Sequence, residues 1–230
     1  MSTKPTIVLA HGFWGGAAHW SKAILALSRM GHDKIRAVEM PLTSLADDAE
    51  RLRKMTVQQE GPILLVGHSY GGAVITQAGD LPNVVGLVYI AAFAPDAGES
   101  PGGISQEHPP AAFPNLAPDS DGYLWIKYDK FHESFCQDLS ADEALVMAIT
   151  QKAPIANTFS DTITAPAWKK KPTWYQISSQ DHMIAPENQK RMAERMNPRK
   201  TITLDASHAS LASRPDEIAG LIAEAANSVS

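Results

Sequence analysis

Six short β-prone runs, separated by stretches with helical spacing, constrain this chain more than any other feature. They occupy residues 7–10, 35–39, 63–66, 84–90, 173–177 and 201–204. Most are almost wholly apolar, as strands buried on both faces must be, and such strands belong to parallel sheets wrapped by helices. The expected fold is α/β, a doubly wound and mainly parallel sheet of about six strands. A length of 230 residues suits one such domain, with room for an inserted segment.

The intervening helices carry readable ends. Trp20, Ile24 and Leu27 share one face of a helix over 20–30 that Gly31 can stop. Ser44 opens the next as an N-cap with Asp47 three residues on, and turns Leu45, Ala49 and Leu52 inward. A helix over 71–79 follows the third strand directly. Another begins at Pro186 and ends before Pro198, and the last starts near Ser213 with Ile218, Leu221, Ile222 and Ala225 as its buried stripe. The alternation breaks over 96–168, where a Pro- and Gly-rich stretch precedes a helix opened by the capping box Ser140-Ala-Asp-Glu143. Phe113, Tyr123, Trp125, Phe131 and Phe135 make this segment too apolar for a solvated loop. It is expected to be a cap inserted between the fourth and fifth strands, over a core formed by 1–95 and 169–230.

Gly67-His68-Ser69-Tyr70-Gly71 stands between a strand and a helix, the context that a G-x-S-x-G turn requires. Serine on so sharp a turn takes strained backbone angles, and the flanking glycines remove Cβ atoms that would collide. The turn presents the hydroxyl at the carboxyl edge of the sheet, with a helix N-terminus beneath it. Ser69 is therefore the candidate nucleophile. His11-Gly12 after the first strand supplies a loop whose amide can join that of the residue after the nucleophile, so Phe13 and Tyr70 N–H are the candidate oxyanion donors. His11 itself is read as a brace for that loop.

A base must come late in the order Ser…Asp/Glu…His, and His208 follows the last strand. Asp181, after the fifth strand, is the favoured acid. Asp96, after the fourth, is the alternative, and Asp205 reads as a turn residue. Trp14, Tyr70, Phe93, Trp125 and Phe131 are candidates to line an apolar pocket at the strands' carboxyl ends.

These pieces resemble the α/β-hydrolase superfamily, and within it the branch of plant methylesterases, hydroxynitrile lyases and bacterial esterase relatives. The resemblance is carried by Ile7-Val-Leu-Ala-His-Gly12 with Trp20 downstream, Gly67-His-Ser-Tyr-Gly-Gly72, Leu87-Val-Tyr-Ile-Ala-Ala-Phe-Ala-Pro95, Gln180-Asp181 and Ser207-His208. It spans nearly the whole chain and is weakest over 96–168. It implies an ancestral eight-stranded sheet shortened at its N-terminus, and Asp181 as the acid. Motif and resemblance together point to a serine hydrolase that cleaves small-molecule carboxylic esters through an acyl-enzyme, with no cofactor.

Three other activities compete: cyanohydrin cleavage, cofactor-free oxidative or perhydrolytic chemistry on the same triad, and ligand sensing with little turnover. The lyases that the chain resembles place a hydroxyl or amide side chain where Gly12 stands, and one group of them a lysine where Ala209 stands. Neither residue here can hold cyanide.

The eight histidines form no HExxH pair, and Phe131-His-Glu-Ser-Phe135 lacks a second ligand, so no metal is expected. A net charge of −5 gives no reason to expect nucleic acid or a membrane surface as partner. Residues 1–12 are too short and too polar for a signal peptide or a span. The single Cys136 cannot close an internal disulfide and reads as a packed thiol, which fits a cytoplasmic protein.

Overall fold

The computed structural model describes residues 4–229, so Met1–Thr3 of the N-terminal run lie outside the described residues. The strands are β1 (Thr6–Ala10), β2 (Ile35–Val38), β3 (Ile63–His68), β4 (Val84–Ile90), β5 (Leu116–Pro118), β6 (Leu124–Ile126), β7 (Thr173–Ser178) and β8 (Lys200–Leu204). Six of them form one sheet in the order β2-β1-β3-β4-β7-β8, and every neighbouring pair is parallel. The helices are α1 (Ser21–Arg29), α2 (Leu45–Val57), α3 (Tyr70–Ala78), α4 (Pro101–Glu107), α5 (Phe131–Phe135), α6 (Ala141–Ile149), α7 (Pro186–Met196), α8 (Ser210–Ser213) and α9 (Pro215–Ser228). Among the described residues no helix is long and apolar enough to cross a membrane.

Successive strand side chains point to opposite faces, so each strand feeds two cores. Ile7, Leu9, Leu64, Val66, Val88 and Ile90 pack with α1 and α9 on one face. Val8, Ala10, Leu65, Leu87 and Tyr89 pack with α2, α3 and α7 on the other, where Phe131 and Phe135, from the stretch between β4 and β7, join them. Chain direction across the sheet reverses between β1 and β3, since β1 leads outward to β2 while β3 leads the opposite way to β4. A crevice opens outside the carboxyl ends at such a reversal, which is where α/β sheets bind ligands.

The helix ends follow from their capping chemistry. Ser44 Oγ accepts the Asp47 amide at 3.0 Å, and the Ser140/Glu143 capping box is closed in both directions. The last helix differs from expectation. A turn at Ser210–Ser213 comes first, and α9 starts only at Pro215, whose ring fixes φ and removes a donor at a first-turn position that needs none.

Residues 96–168 also hold a hairpin, β5 with β6, that the sequence pattern did not reveal because each strand has only three residues. Of the five aromatics expected to withdraw from solvent there, Phe131 and Phe135 do so. Phe113 and Tyr123, which flank the hairpin strands, and Trp125, on the ribbon's outer face with nothing packed over it, remain exposed.

Candidate functional site

Three non-glycine residues just beyond the carboxyl ends of β1, β3 and β4 have positive φ: Trp14 at 58°, Ser69 at 55° and Ala91 at 43°. Such backbone is strained by about 1–3 kcal/mol per residue and persists only where surrounding bonds impose it. At Ser69 those bonds are explicit. Its amide donates to Ile90 O at 3.2 Å, while its carbonyl accepts from Phe93 N and Gly72 N, each at 3.0 Å.

Two glycines make the turn sterically possible. A Cβ on Gly71 would lie 2.3 Å from Ala10 O, so the helix could not start this close to β1. A Cβ on Gly12 would lie 2.5 Å from Ser69 Cβ and 2.9 Å from Oγ, so the first-strand loop passes directly over the serine side chain. Tyr70 is the first residue of α3, and its amide is one of the N–H groups a helix leaves without an internal acceptor. Its ring stacks on Phe13 with centroids 3.9 Å apart, bringing both expected oxyanion donors into one packed unit beside Ser69.

His208 is fully buried in the loop after β8. Its Nδ1 donates to Asp181 Oδ2 at 2.7 Å. The other three donors on that carboxylate are Met183 N and Ile184 N on Oδ1, at 2.7 and 2.9 Å, and Gln189 Nε2 on Oδ2, at 2.8 Å. With Nδ1–H so engaged, the neutral ring carries its lone pair on Nε2, which is buried and has no hydrogen-bond partner among the described residues. Asp96 is not brought to this ring. It pairs with Lys169 Nζ at 2.5 Å and accepts from Ala97 N at 2.7 Å. Asp205 accepts from Ser179 Oγ on the surface.

Four residues to which the sequence pattern assigns no part in this site hold the arrangement. Gln189 fixes Asp181 while its own Oε1 accepts from Ser178 N at 3.0 Å. Asp138, from the stretch between β4 and β7, accepts the Ser207 amide at 2.9 Å and so pins the His208 loop. His68 donates from Nε2 to His208 O at 2.8 Å, tying the residue before the serine to the histidine backbone. Burial, and then the neighbouring His208, push the His68 imidazole well below its ordinary value, so this bond is made by a neutral ring. Phe135 stands edge-on to His208, with centroids 5.0 Å apart.

A fifth group lies behind Tyr70. Asp48, fully buried on α2, accepts Tyr70 OH at 2.8 Å through Oδ2 and Leu42 N at 2.8 Å through Oδ1. Burial raises its carboxyl to about 6 against the pull of these two donors. His11 is a brace: its Nε2 accepts the Met40 amide at 3.0 Å, leaving Nδ1–H for Gly12 O at 2.8 Å.

The pocket candidates separate. The Phe93 backbone touches Ser69, Phe131 lies beneath Phe135, and Trp14 is bolted to the hairpin by Nε1–H to Leu124 O at 2.7 Å. Trp125 is 38% exposed, and its indole N–H is bound to Asp119 on the outer hairpin. Cys136 is buried, and its thiol is pushed up to about 12 by desolvation and two nearby carboxylates. Among the described residues no group of three or more His, Cys, Asp or Glu could hold a metal ion.

The alpha/beta hydrolase family model matches residues 7–221, which is most of the chain. The chain belongs to the alpha/beta hydrolase family. It is similar to alpha/beta hydrolase nvfD of Aspergillus novofumigatus, with 30% identity over 97% of both chains. It is also similar to methylesterase 3 of Arabidopsis thaliana, with 25% identity over 97% of both. The solved structure of polyneuridine aldehyde esterase superposes with a TM-score of 0.83, covering 97% of this chain and 99% of that one at 18% identity. The fold is thus that of the plant methylesterase-like branch.

Proposed function

We propose that this member of the family is a serine esterase that hydrolyses small uncharged carboxylic esters. The observation that carries the reading is the state of His208: Nδ1 held by a saturated Asp181, Nε2 buried without a partner, and the backbone tied to the residue next to Ser69. A base prepared in this way needs a proton from a nearby hydroxyl, and Ser69 is the strained residue on the adjoining turn.

In the first step Ser69 Oγ bonds to the ester carbonyl carbon as His208 Nε2 takes the hydroxyl proton. The negative charge moves to the carbonyl oxygen, where the Phe13 and Tyr70 amides and the α3 N-terminus stabilise it. The bond to the alkoxide then breaks, and the same proton passes from Nε2 to the departing oxygen. Water repeats the cycle on the acyl-enzyme, its proton going to His208 and then to Ser69 Oγ. Asp181 holds the tautomer and stabilises the imidazolium.

The relatives support this reading, since those of full length are named as hydrolases and methylesterases. Residues 96–168 act as a cap in it. Support comes from Asp138 on the His208 loop, and from Ala112 N and Glu133 O, which bond His182 O and Nδ1 in the loop after β7.

The test is covalent labelling. A fluorophosphonate should add to the wild type and not to Ser69→Ala, whose kcat on p-nitrophenyl acetate should fall by about 10³–10⁶ with the circular dichroism spectrum unchanged. Labelling that survives the substitution refutes the assignment.

A further inference from the structure

Ser69 is only 3% exposed and His208 is fully buried, so an ester must approach along a defined route. One cleft, of about 480 Å³, lies where the inserted segment meets the core, between residues 18–22 and α6. Its walls include Ala18, Val146, Met147 and Ala212, and Lys22 pairs with Glu143 across its rim. Its volume falls in the range that takes a small organic group.

One wall of this cleft stands close to one side of the triad. His19 lines it, and the His19 ring sits 5.9 Å from Phe135, whose own ring is edge-on to His208 at 5.0 Å. Ala212, on α8, lies four residues past His208. The cleft therefore lies on the histidine side of the site, with the Phe135 ring between its His19 wall and His208, whereas Gly12, Phe13 and Tyr70 stand on the oxyanion side. That geometry matters because the histidine gives its proton to the leaving oxygen, so the alcohol portion of an ester must lie beside it.

We infer that the cleft between residues 18–22 and α6 is the binding subsite for the alcohol portion of the substrate, and that it selects uncharged alkyl or aryl groups much larger than methyl. The inference rests on the esterase reading for the chemistry and on the cleft alone for the binding. Its charge character agrees. The rim cation is already neutralised by Glu143, and burial brings His19 down to about 4, so the His19 wall is uncharged at neutral pH. A carboxylate on the alcohol would meet Glu143 and Asp142 with no free cation between them.

Two measurements test this. The first compares kcat/KM for octyl and ethyl acetate, which share an acyl group and have similar leaving groups. Each methylene taken out of water is worth about fourfold, so six of them, partly buried, should favour octyl acetate by at least about tenfold. Val146→Asp, at a residue 60% exposed and so tolerant of charge, should cut that preference about fivefold or more. Leu145→Asp, facing Tyr128 and His132 on the other side of α6, should keep it. If Val146→Asp leaves the preference intact, or instead alters the preference for ethyl octanoate over ethyl acetate, the subsite has been assigned wrongly.

The second measurement needs no turnover. Titration with 1-octanol should shift the methyl NMR signals of Val146 and Met147 in the wild type. Absence of those shifts overturns the subsite even if esters are cleaved. Shifts in a protein that cleaves no ester leave the subsite standing and refute the esterase reading.

Discussion

The buried Asp48 makes stability depend on pH in a direction opposite to that of most carboxylates. Burial lifts its carboxyl from 3.8 to about 6, so the folded protein holds this proton more tightly than the unfolded chain. The stabilising contribution of the proton is complete below pH 3.8 and is lost as pH rises to about 6. Above that, the difference of about two pKa units corresponds to roughly 3 kcal/mol against the folded state. Asp48→Asn removes the charge and keeps the shape. Its Oδ1 still accepts from Leu42 N, and Nδ2 donates to the Tyr70 oxygen, which can accept. The variant should therefore be more stable than the wild type by roughly 1–2 kcal/mol at pH 5 and roughly 3 kcal/mol at pH 8, as the two pKa positions imply. Urea unfolding at the two pH values, with equal m-values, measures both numbers. A variant destabilised equally at pH 5 and pH 8 would refute the reasoning, because the anion's hydrogen bonds would then outweigh its desolvation.

Two further outcomes follow from the site. Gly12→Ala drives a methyl to 2.5 Å from Ser69 Cβ, and the loop must retreat with its Phe13 amide. A loss of about 10²–10³ in kcat on p-nitrophenyl acetate, the worth of one oxyanion donor, is expected, together with a fall of several degrees in the thermal midpoint, since overpacking a filled site costs about 1–3 kcal/mol. Asp181→Asn sets an amide N–H against the donors His208 Nδ1–H and Gln189 Nε2–H, and forces the imidazole into the wrong tautomer. It should lower kcat by about 10³–10⁴, whereas Asp96→Asn, which breaks only the contact with Lys169, should cost less than about tenfold. The reverse order in steady-state assays would move the acid to the other loop.

What could be read from the sequence was set by short-range physics. The strands at 63–68 and 84–90 are continuous apolar runs, Ser44 and Ser140 cap helices three residues away, and the serine turn is spelled out by its own glycines. The hairpin at 116–126 escaped because three-residue strands show no period. Gln189, Asp138 and His68 escaped for a different reason. Each acts on a residue 8, 69 or 140 positions away, through one hydrogen bond that leaves no local pattern. Asp48 differs from all three. It sits between Leu45, Ala49 and Leu52, on the stripe that the helix turns inward, and a carboxylate on a buried stripe needs a partner. The sequence therefore carried a sign of it, and Tyr70, beside Ser69, is the partner it found. The same geometry explains why so costly a group is tolerated. Its two acceptors fasten the Leu42 loop, whose φ is 63°, to the ring that stacks on Phe13, and so couple α2 to the wall on which the proposed oxyanion donors stand.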